Sequence, residues 1–129
     1  MRVYLVDDSI LIRQRLARML SNVRGVQVVG EALEAHEATT AILQLKPDVV
    51  ILDIQLLGST GMEVLQSIKR TNPSAVVIVA TNFPGYRTKY LNAGADFFFD
   101  KSTEFHRIPL VVASLIKQTR AARASQTPS

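Results

Sequence analysis

Short runs of apolar residues alternate along the chain with longer segments in which apolar residues recur at helical spacing. The apolar runs have the length of buried strands, and this alternation is typical of an α/β protein with a doubly wound parallel sheet. We therefore predict a five-stranded parallel sheet flanked by five helices. The predicted strands cover residues 3–6, 26–29, 48–52, 75–80 and 97–99.

Capping and helix-breaking residues indicate where the helices begin and end. Ser9 is the expected N-cap of the first helix, and Gly25 is expected to close it. The arginines of this helix, Arg13, Arg15 and Arg18, are predicted to face water. The other helices are predicted over about residues 35–45, 62–70, 86–92 and 103–120.

The last predicted helix contains Pro109, so it either starts later, near Ile108, or bends at the proline. Beyond it, residues 121–129 are small and polar and are expected to form a disordered tail or a linker. A chain of 129 residues with 47% hydrophobic content suits one domain, which we place at residues 1–120.

Composition and charge exclude several classes of protein. The absence of cysteine excludes disulfides and thiolate metal sites. The first strand begins almost at Met1 and no apolar run approaches membrane-spanning length, so we expect a cytoplasmic protein that does not contact a membrane. The net charge of +4 comes from basic residues scattered without interleaved aromatics, and we expect no nucleic-acid binding by this domain alone.

Polar side chains follow four of the predicted strands at the point where each strand ends. Asp7 and Asp8 follow the first strand, Asp53 the third, Thr81 the fourth and Lys101 the fifth. These strand ends share one edge of a parallel sheet, so we expect the side chains to converge. Three carboxylates gathered there are costly to desolvate without a cation. The set therefore predicts a divalent-metal site beside a phosphoryl-binding site.

The order and spacing of these five residues resemble those of the receiver domain of two-component response regulators, and the resemblance covers residues 1 to about 120. Gly61 after the third acid and the sequence Gly94-Ala95-Asp96 before the fifth strand add to the resemblance. It implies the flavodoxin-like receiver fold. It also implies that Asp53 is phosphorylated by a histidine kinase, a phosphotransfer protein or a small phosphodonor, with Mg2+ as the required cofactor.

The resemblance also implies roles for the surrounding residues. Asp53 is the expected nucleophile, and Lys101 and Thr81 are expected to stabilise the charge that develops on the phosphoryl oxygens. Asp7 is expected to reach the metal through a water molecule. The predicted metal-binding set is Asp7, Asp8, Asp53 and the main-chain carbonyl of Gln55.

Phosphorylation is expected to draw Thr81 toward the phosphate, so that Phe98 turns inward and changes the surface made by the fourth helix, fifth strand and fifth helix. The expected partners are the phosphodonor protein and a downstream protein target, and a homodimer is compatible with the resemblance. We expect no catalysis beyond the chain's own phosphorylation and dephosphorylation.

Two other functions compete with this interpretation. One is a receiver-fold interaction module that regulates a partner without cycling phosphate. The other, a phosphatase of the dehalogenase type, is disfavoured because Gln55 stands where that chemistry needs a second aspartate. Taken singly, Lys101 could also be a solvated lysine near Glu104, and the isolated histidines, His36 and His106, are predicted to lie on the surface.

Overall fold

The computed structural model describes residues 1–126, which form seven strands, five helices and one short 3-10 turn. The strands are β1 (Arg2–Val6), β2 (Gln27–Ala32), β3 (Val49–Leu52), β4 (Gln55–Leu56), β5 (Ser59–Thr60), β6 (Val76–Thr81) and β7 (Phe97–Asp100). The helices are α1 (Ile10–Ser21), α2 (Ala35–Leu45), α3 (Gly61–Thr71), α4 (Arg87–Asn92) and α5 (Arg107–Gln126), and the 3-10 turn is Pro84–Tyr86.

Five of the strands form one parallel sheet in the order β2-β1-β3-β6-β7. This confirms the predicted doubly wound α/β architecture. The remaining strands, β4 and β5, form a small antiparallel hairpin in a segment where the sequence predicted a loop. Among residues 1–126, no helix combines the length and the apolar character needed to cross a bilayer.

The sheet separates two hydrophobic cores because successive strand residues point to opposite faces. Leu52 of β3 faces one core, where Ile42 of α2 and Tyr90 of α4 also pack. Ile51 faces the other core, which includes Leu16 of α1 and residues of α5. Both faces are therefore covered by helices, and the carboxyl ends of the strands remain accessible at one edge.

Two boundaries near β2 differ from the prediction. Helix α1 ends at Ser21 with Asn22 as its C-cap, so Gly25 does not close it; Gly25 instead has a φ of 89° before β2 begins. Strand β2 continues through Gly30, where the sequence predicted a turn. A Cβ on Gly30 would lie 2.8 Å from the Tyr4 ring, so the glycine lets β1 and β2 pair while the ring packs across them.

The last helix begins at Arg107, which confirms the later of the two predicted starts. Pro109 therefore lies in the first turn, where its missing amide breaks no helical hydrogen bond. The helix continues to Gln126, beyond the predicted end at about residue 120. The role of residues 121–129 as a linker stays a prediction, and residues 127–129 lie outside the described part of the chain.

Candidate functional site

The predicted acidic cluster forms because sheet hydrogen bonding continues just past the ends of two central strands. The Asp7 amide donates to the Ala32 carbonyl at 3.1 Å, and the Asp53 amide donates to the Val6 carbonyl at 2.9 Å. These bonds fix both acids at the same sheet edge. Carboxylate oxygens of Asp7, Asp8 and Asp53 all lie within 4.8 Å of one another. Asp7 and Asp53 are buried, whereas Asp8 is exposed.

Lys101 joins the acids from the end of β7. Its Nζ lies 2.5 Å from Asp7 Oδ2 and 2.9 Å from Asp53 Oδ2, and its side chain is only 6% exposed. The alternative of a solvated lysine near Glu104 is therefore wrong. The Lys101 amide also donates to the Thr81 carbonyl at 2.9 Å. The main chain thus holds the ammonium-bearing residue against the end of β6.

Asp53 itself is fixed by its own loop. The Ile54 amide donates to Asp53 Oδ1 at 2.7 Å, so one carboxylate oxygen faces the loop and the other faces Lys101. Gly61, at the start of α3, packs directly against this segment, where an added Cβ would lie 2.4 Å from the Asp53 carbonyl oxygen. Only glycine allows α3 to begin this close to the acid.

The remaining predicted site residues lie around this cluster. Thr81 is fully buried at the end of β6, and its hydroxyl accepts a hydrogen bond from the Phe83 amide at 3.2 Å. Gln55 is the exposed first residue of β4, and metal binding by its carbonyl stays a prediction. Phe98 is 3% exposed, so its ring already points inward in this structure. The rotation of that ring on phosphorylation stays a prediction.

Burial and pairing shift the pKa values of Asp7 and Lys101. Burial raises the pKa of Asp7, although its hydrogen bonds with Lys101 and Ser9 act in the opposite direction. Burial also acts to lower the pKa of Lys101, but the contacts with Asp7 and Asp53 outweigh it and raise that pKa. Lys101 therefore stays charged beside the acids.

Sequence reasoning missed Arg13. It was predicted to face water, but it is only 7% exposed. Its guanidinium donates to the Asp7 carbonyl at 2.6 Å and to Glu31 Oε1 at 3.0 Å. Arg13 lies one turn before Leu16 on the buried side of α1, and this spacing could have signalled its burial. The prediction is confirmed for the exposed Arg15 and Arg18, and also for the surface histidines, His36 and His106.

Tyr90 was also missed. The sequence placed it in a short helix without a role, but it is 3% exposed and packs against Phe98, with ring centroids 6.4 Å apart. Helix α4 is too short for apolar periodicity to identify its inner face. The structure therefore adds a buried aromatic residue that packs α4 against β7.

The site can hold a divalent cation on chemical grounds. Mutually close carboxylates offer the oxygen ligands that hard cations such as Mg2+ and Ca2+ prefer. Without such an ion, their repulsion is balanced only in part, since Lys101 contacts two of the three acids. A metal ion would supply the missing positive charge, so the residues present fit the predicted group.

Comparison with known proteins identifies the family. The sequence matches the response regulator receiver domain over residues 3–113. The response regulator GacA of Pseudomonas viridiflava is 36% identical over 102 residues, covering 78% of this chain and 48% of GacA. A protein-glutamate methylesterase/protein-glutamine glutaminase of Koribacter versatilis is 34% identical, covering 98% of this chain and 36% of that protein.

The solved structure of the response regulator domain of Thermotoga maritima CheB has a TM-score of 0.79 and 28% identity, covering 92% of this chain and 94% of that domain. The chain therefore spans about half the length of GacA but nearly the whole of an isolated receiver structure. It belongs to the response regulator receiver domain family of two-component signalling.

Proposed function

We propose that this receiver domain accepts a phosphoryl group on Asp53 and changes its binding surface in response. The observation that carries this proposal is the contact of one buried ammonium, Lys101, with both Asp7 and Asp53 at the open edge of the sheet. A structural ion pair would need only one acid. Two buried acids and a third beside them are a costly arrangement that phosphoryl transfer explains.

In the proposed reaction, a carboxylate oxygen of Asp53 attacks the phosphorus atom of the donor. The bond between phosphorus and the leaving group breaks, the leaving group departs with the electron pair, and an acyl phosphate forms. Lys101 and the Thr81 hydroxyl stabilise the charge on the phosphoryl oxygens. Attack of water on phosphorus later releases phosphate and restores the carboxylate.

Mg2+ is the proposed cofactor. Asp8, Asp53 and the Gln55 carbonyl would hold it, with Asp7 acting through a water molecule. When bound, Mg2+ neutralises charge on the phosphoryl oxygens and offsets the repulsion among the acids. The proposed donors are a histidine kinase, a phosphotransfer protein or a small phosphodonor, and we place this exchange in the cytoplasm.

The proposed output is binding of a downstream protein through the surface of α4, β7 and α5. Thr81 would move toward the phosphate and break its hydrogen bond with the Phe83 amide. Phe83 lies in an exposed segment, residues 82–89, that leads into α4. A local change of charge at Asp53 would therefore alter a surface that a partner or a second receiver domain can contact.

The test is phosphorylation of the purified chain with Mg2+ and acetyl phosphate or phosphoramidate, followed by mass measurement of the intact protein. We expect a gain of one phosphoryl group that Asp53→Asn abolishes. Glu37→Gln is a suitable control because it removes an exposed carboxylate of α2 and should leave the gain unchanged. Omission of Mg2+ should also prevent the gain.

No gain of mass with any donor would contradict the proposal. That outcome would favour the alternative of a receiver-fold interaction module that binds its partner without cycling phosphate. A gain that persists in Asp53→Asn would show that another residue accepts the phosphoryl group.

A further inference from the structure

The three acids of the site are held to different degrees. The Asp7 and Asp53 carboxylates each accept a hydrogen bond from a main-chain amide and contact Lys101. Asp8 is exposed, and within residues 1–126 its carboxylate forms no hydrogen bond or ion pair. One of its oxygens nevertheless lies within 4.8 Å of oxygens from the other two acids. The main chain must therefore bring Asp8 to the site.

The main chain next to Asp8 is fixed by hydrogen bonds on both sides of the Asp7 Cα atom. The Asp7 amide donates to the Ala32 carbonyl at 3.1 Å. The Asp7 carbonyl accepts a hydrogen bond from Arg13 Nη1 at 2.6 Å, and this contact is buried. A peptide group is planar, so a fixed Asp7 carbonyl also fixes the Cα atom of Asp8. Arg13 thereby helps to determine where the Asp8 side chain begins.

Arg13 can fix this peptide because its own main chain and side chain are both held. Its amide donates to the Ser9 carbonyl at 3.1 Å, at the start of α1. Its Nε donates to Glu31 Oε1 at 3.0 Å, and Glu31 pairs in register with Leu5 of β1. A guanidinium presents its donors in a fixed plane. One side chain therefore connects α1, β2 and the residue that follows β1.

Packing alone does not account for a charged residue at this position. The Arg13 side chain is only 8% exposed, and a buried guanidinium is costly to desolvate. An apolar side chain of similar size would pack on the same side of α1 at less cost. The charge is therefore better explained by the group to which it donates, the carbonyl next to Asp8.

We propose that Arg13 is a positioning residue that fixes the peptide between Asp7 and Asp8 and so places the Asp8 carboxylate for Mg2+. This inference rests on the proposed Mg2+ site and adds to it a residue that does not touch the metal. Arg13 strengthens binding through geometry, because a ligand that is already in place loses less freedom when the ion binds. Its positive charge acts in the opposite direction, since it repels a cation.

The test is titration of the full chain with Mg2+ in the absence of a phosphodonor, followed through the amide NMR shifts of Asp8 and Asp53. We expect Arg13→Met to raise the Kd for Mg2+ about tenfold. Loss of a positive charge alone would lower this Kd, so the direction of the change separates positioning from charge. An unchanged or lower Kd in Arg13→Met would overturn the inference.

Arg18→Met is the matched control, because it removes an exposed arginine of the same helix. Solvent screens that charge, so we expect the Kd for Mg2+ to stay within about twofold of the wild-type value. A tenfold rise in Arg18→Met as well would overturn the inference, because the effect would then not depend on the contact with the Asp7 carbonyl.

Arg13→Lys is a second variant that keeps the net charge and tests the proposal even if Arg13→Met does not fold. One ammonium does not reproduce the fixed separation of the two guanidinium donors, so we expect the Kd for Mg2+ to rise about threefold. A wild-type Kd in Arg13→Lys would overturn the inference.

The order of the Asp8 amide provides a measurement that needs no metal. In 15N relaxation of the metal-free chain, we expect the order parameter of this amide to fall in Arg13→Met and to stay at the wild-type value in Arg18→Met. A role confined to the packing of α1 would lower stability without this local change. An unchanged order parameter in Arg13→Met would therefore overturn the inference.

This inference and the proposed function fail in different ways. A wild-type protein that binds Mg2+ but gains no phosphoryl group contradicts phosphorylation and leaves the role of Arg13 to the titration. A wild-type protein that binds Mg2+ and gains a phosphoryl group, with an equal Kd in Arg13→Met, contradicts only the role of Arg13. A wild-type protein that binds no Mg2+ contradicts both the proposed cofactor and the role of Arg13 toward it.

Discussion

The two chain segments that flank the acidic site are held in opposite ways. Between β1 and α1, the Ser9 side chain accepts a hydrogen bond from the Ile12 amide, and Asp7 Oδ1 accepts one from the Ser9 amide. Arg13 then ties α1 to the Asp7 carbonyl. From the end of β6 into α4, residues 82–89 are exposed, and Tyr90 is the one buried residue of α4.

This difference suits two different tasks. Acids that bind a metal need a fixed geometry, because a small displacement of a ligand weakens coordination. A segment that reports a change in charge needs an alternative position within a few kcal/mol of the first. The hydrogen bonds of the β1–α1 side therefore suit the proposed metal site, and the exposed β6–α4 side suits the proposed binding surface.

The largest loss of stability is expected when the buried ring of Tyr90 is removed from α4. Tyr90→Ala should lower the free energy of unfolding by about 3 kcal/mol, because it leaves a cavity where a buried aromatic ring was. Tyr86→Ala, in the same segment but exposed, should change it by only about 0.5 kcal/mol. Equilibrium urea denaturation of both variants measures the difference. Similar losses in the two variants would mean that α4 is held by many weak contacts instead of one anchor.

A smaller loss of stability is expected when the hydrogen bonds of Arg13 with the Asp7 carbonyl and Glu31 are removed. Arg13→Met should lower the free energy of unfolding by about 2 kcal/mol, because the Asp7 carbonyl and Glu31 lose a charged donor. Arg18→Met removes an exposed arginine from the same helix and should cost less than about 0.5 kcal/mol. Urea denaturation provides the measurement. If the two variants lose the same free energy of unfolding, the buried Arg13 guanidinium does not stabilise the segment between β1 and α1.

The sequence predicted most of the fold because its apolar strand runs and its helically spaced apolar residues are easy to distinguish. Apolar strands such as Val49–Leu52 are buried on both faces, which is the pattern expected of central parallel strands. Placement of polar residues after four of the five strands then predicted that Asp7, Asp53 and Lys101 converge, since parallel strands share one edge.

The parts that the sequence did not predict depend on tertiary contacts. Arg13 is charged, so helical patterning assigned it to water, whereas its burial depends on Glu31 from β2 and the carbonyl of Asp7. Tyr90 occupies a helix of six residues, which is too short for a reliable inner face. In both cases the deciding partner lies on another element. The spacing from Leu16 could place Arg13 on the inner face of α1, but it could not identify the partners of the buried charge.

The smallest expected effect is the contribution of the Tyr90 phenol to the pH dependence of stability. Burial raises the pKa of Tyr90 above the ordinary tyrosine value of 10.0, so the folded state holds the phenol proton more tightly than the unfolded state does. The resulting contribution to stability is fully present below pH 10.0 and is lost as the pH rises through the folded-state pKa. Tyr90→Phe removes this contribution and should therefore lose less stability than wild type across that alkaline range. Tyr86→Phe, which changes the exposed partner ring, is the matched variant, and urea denaturation across this pH range provides the measurement. If the stability of Tyr90→Phe depends on pH as the wild type does, burial does not raise the pKa of this phenol. The contrast between the buried Tyr90 and the exposed segment before it would then be wrong.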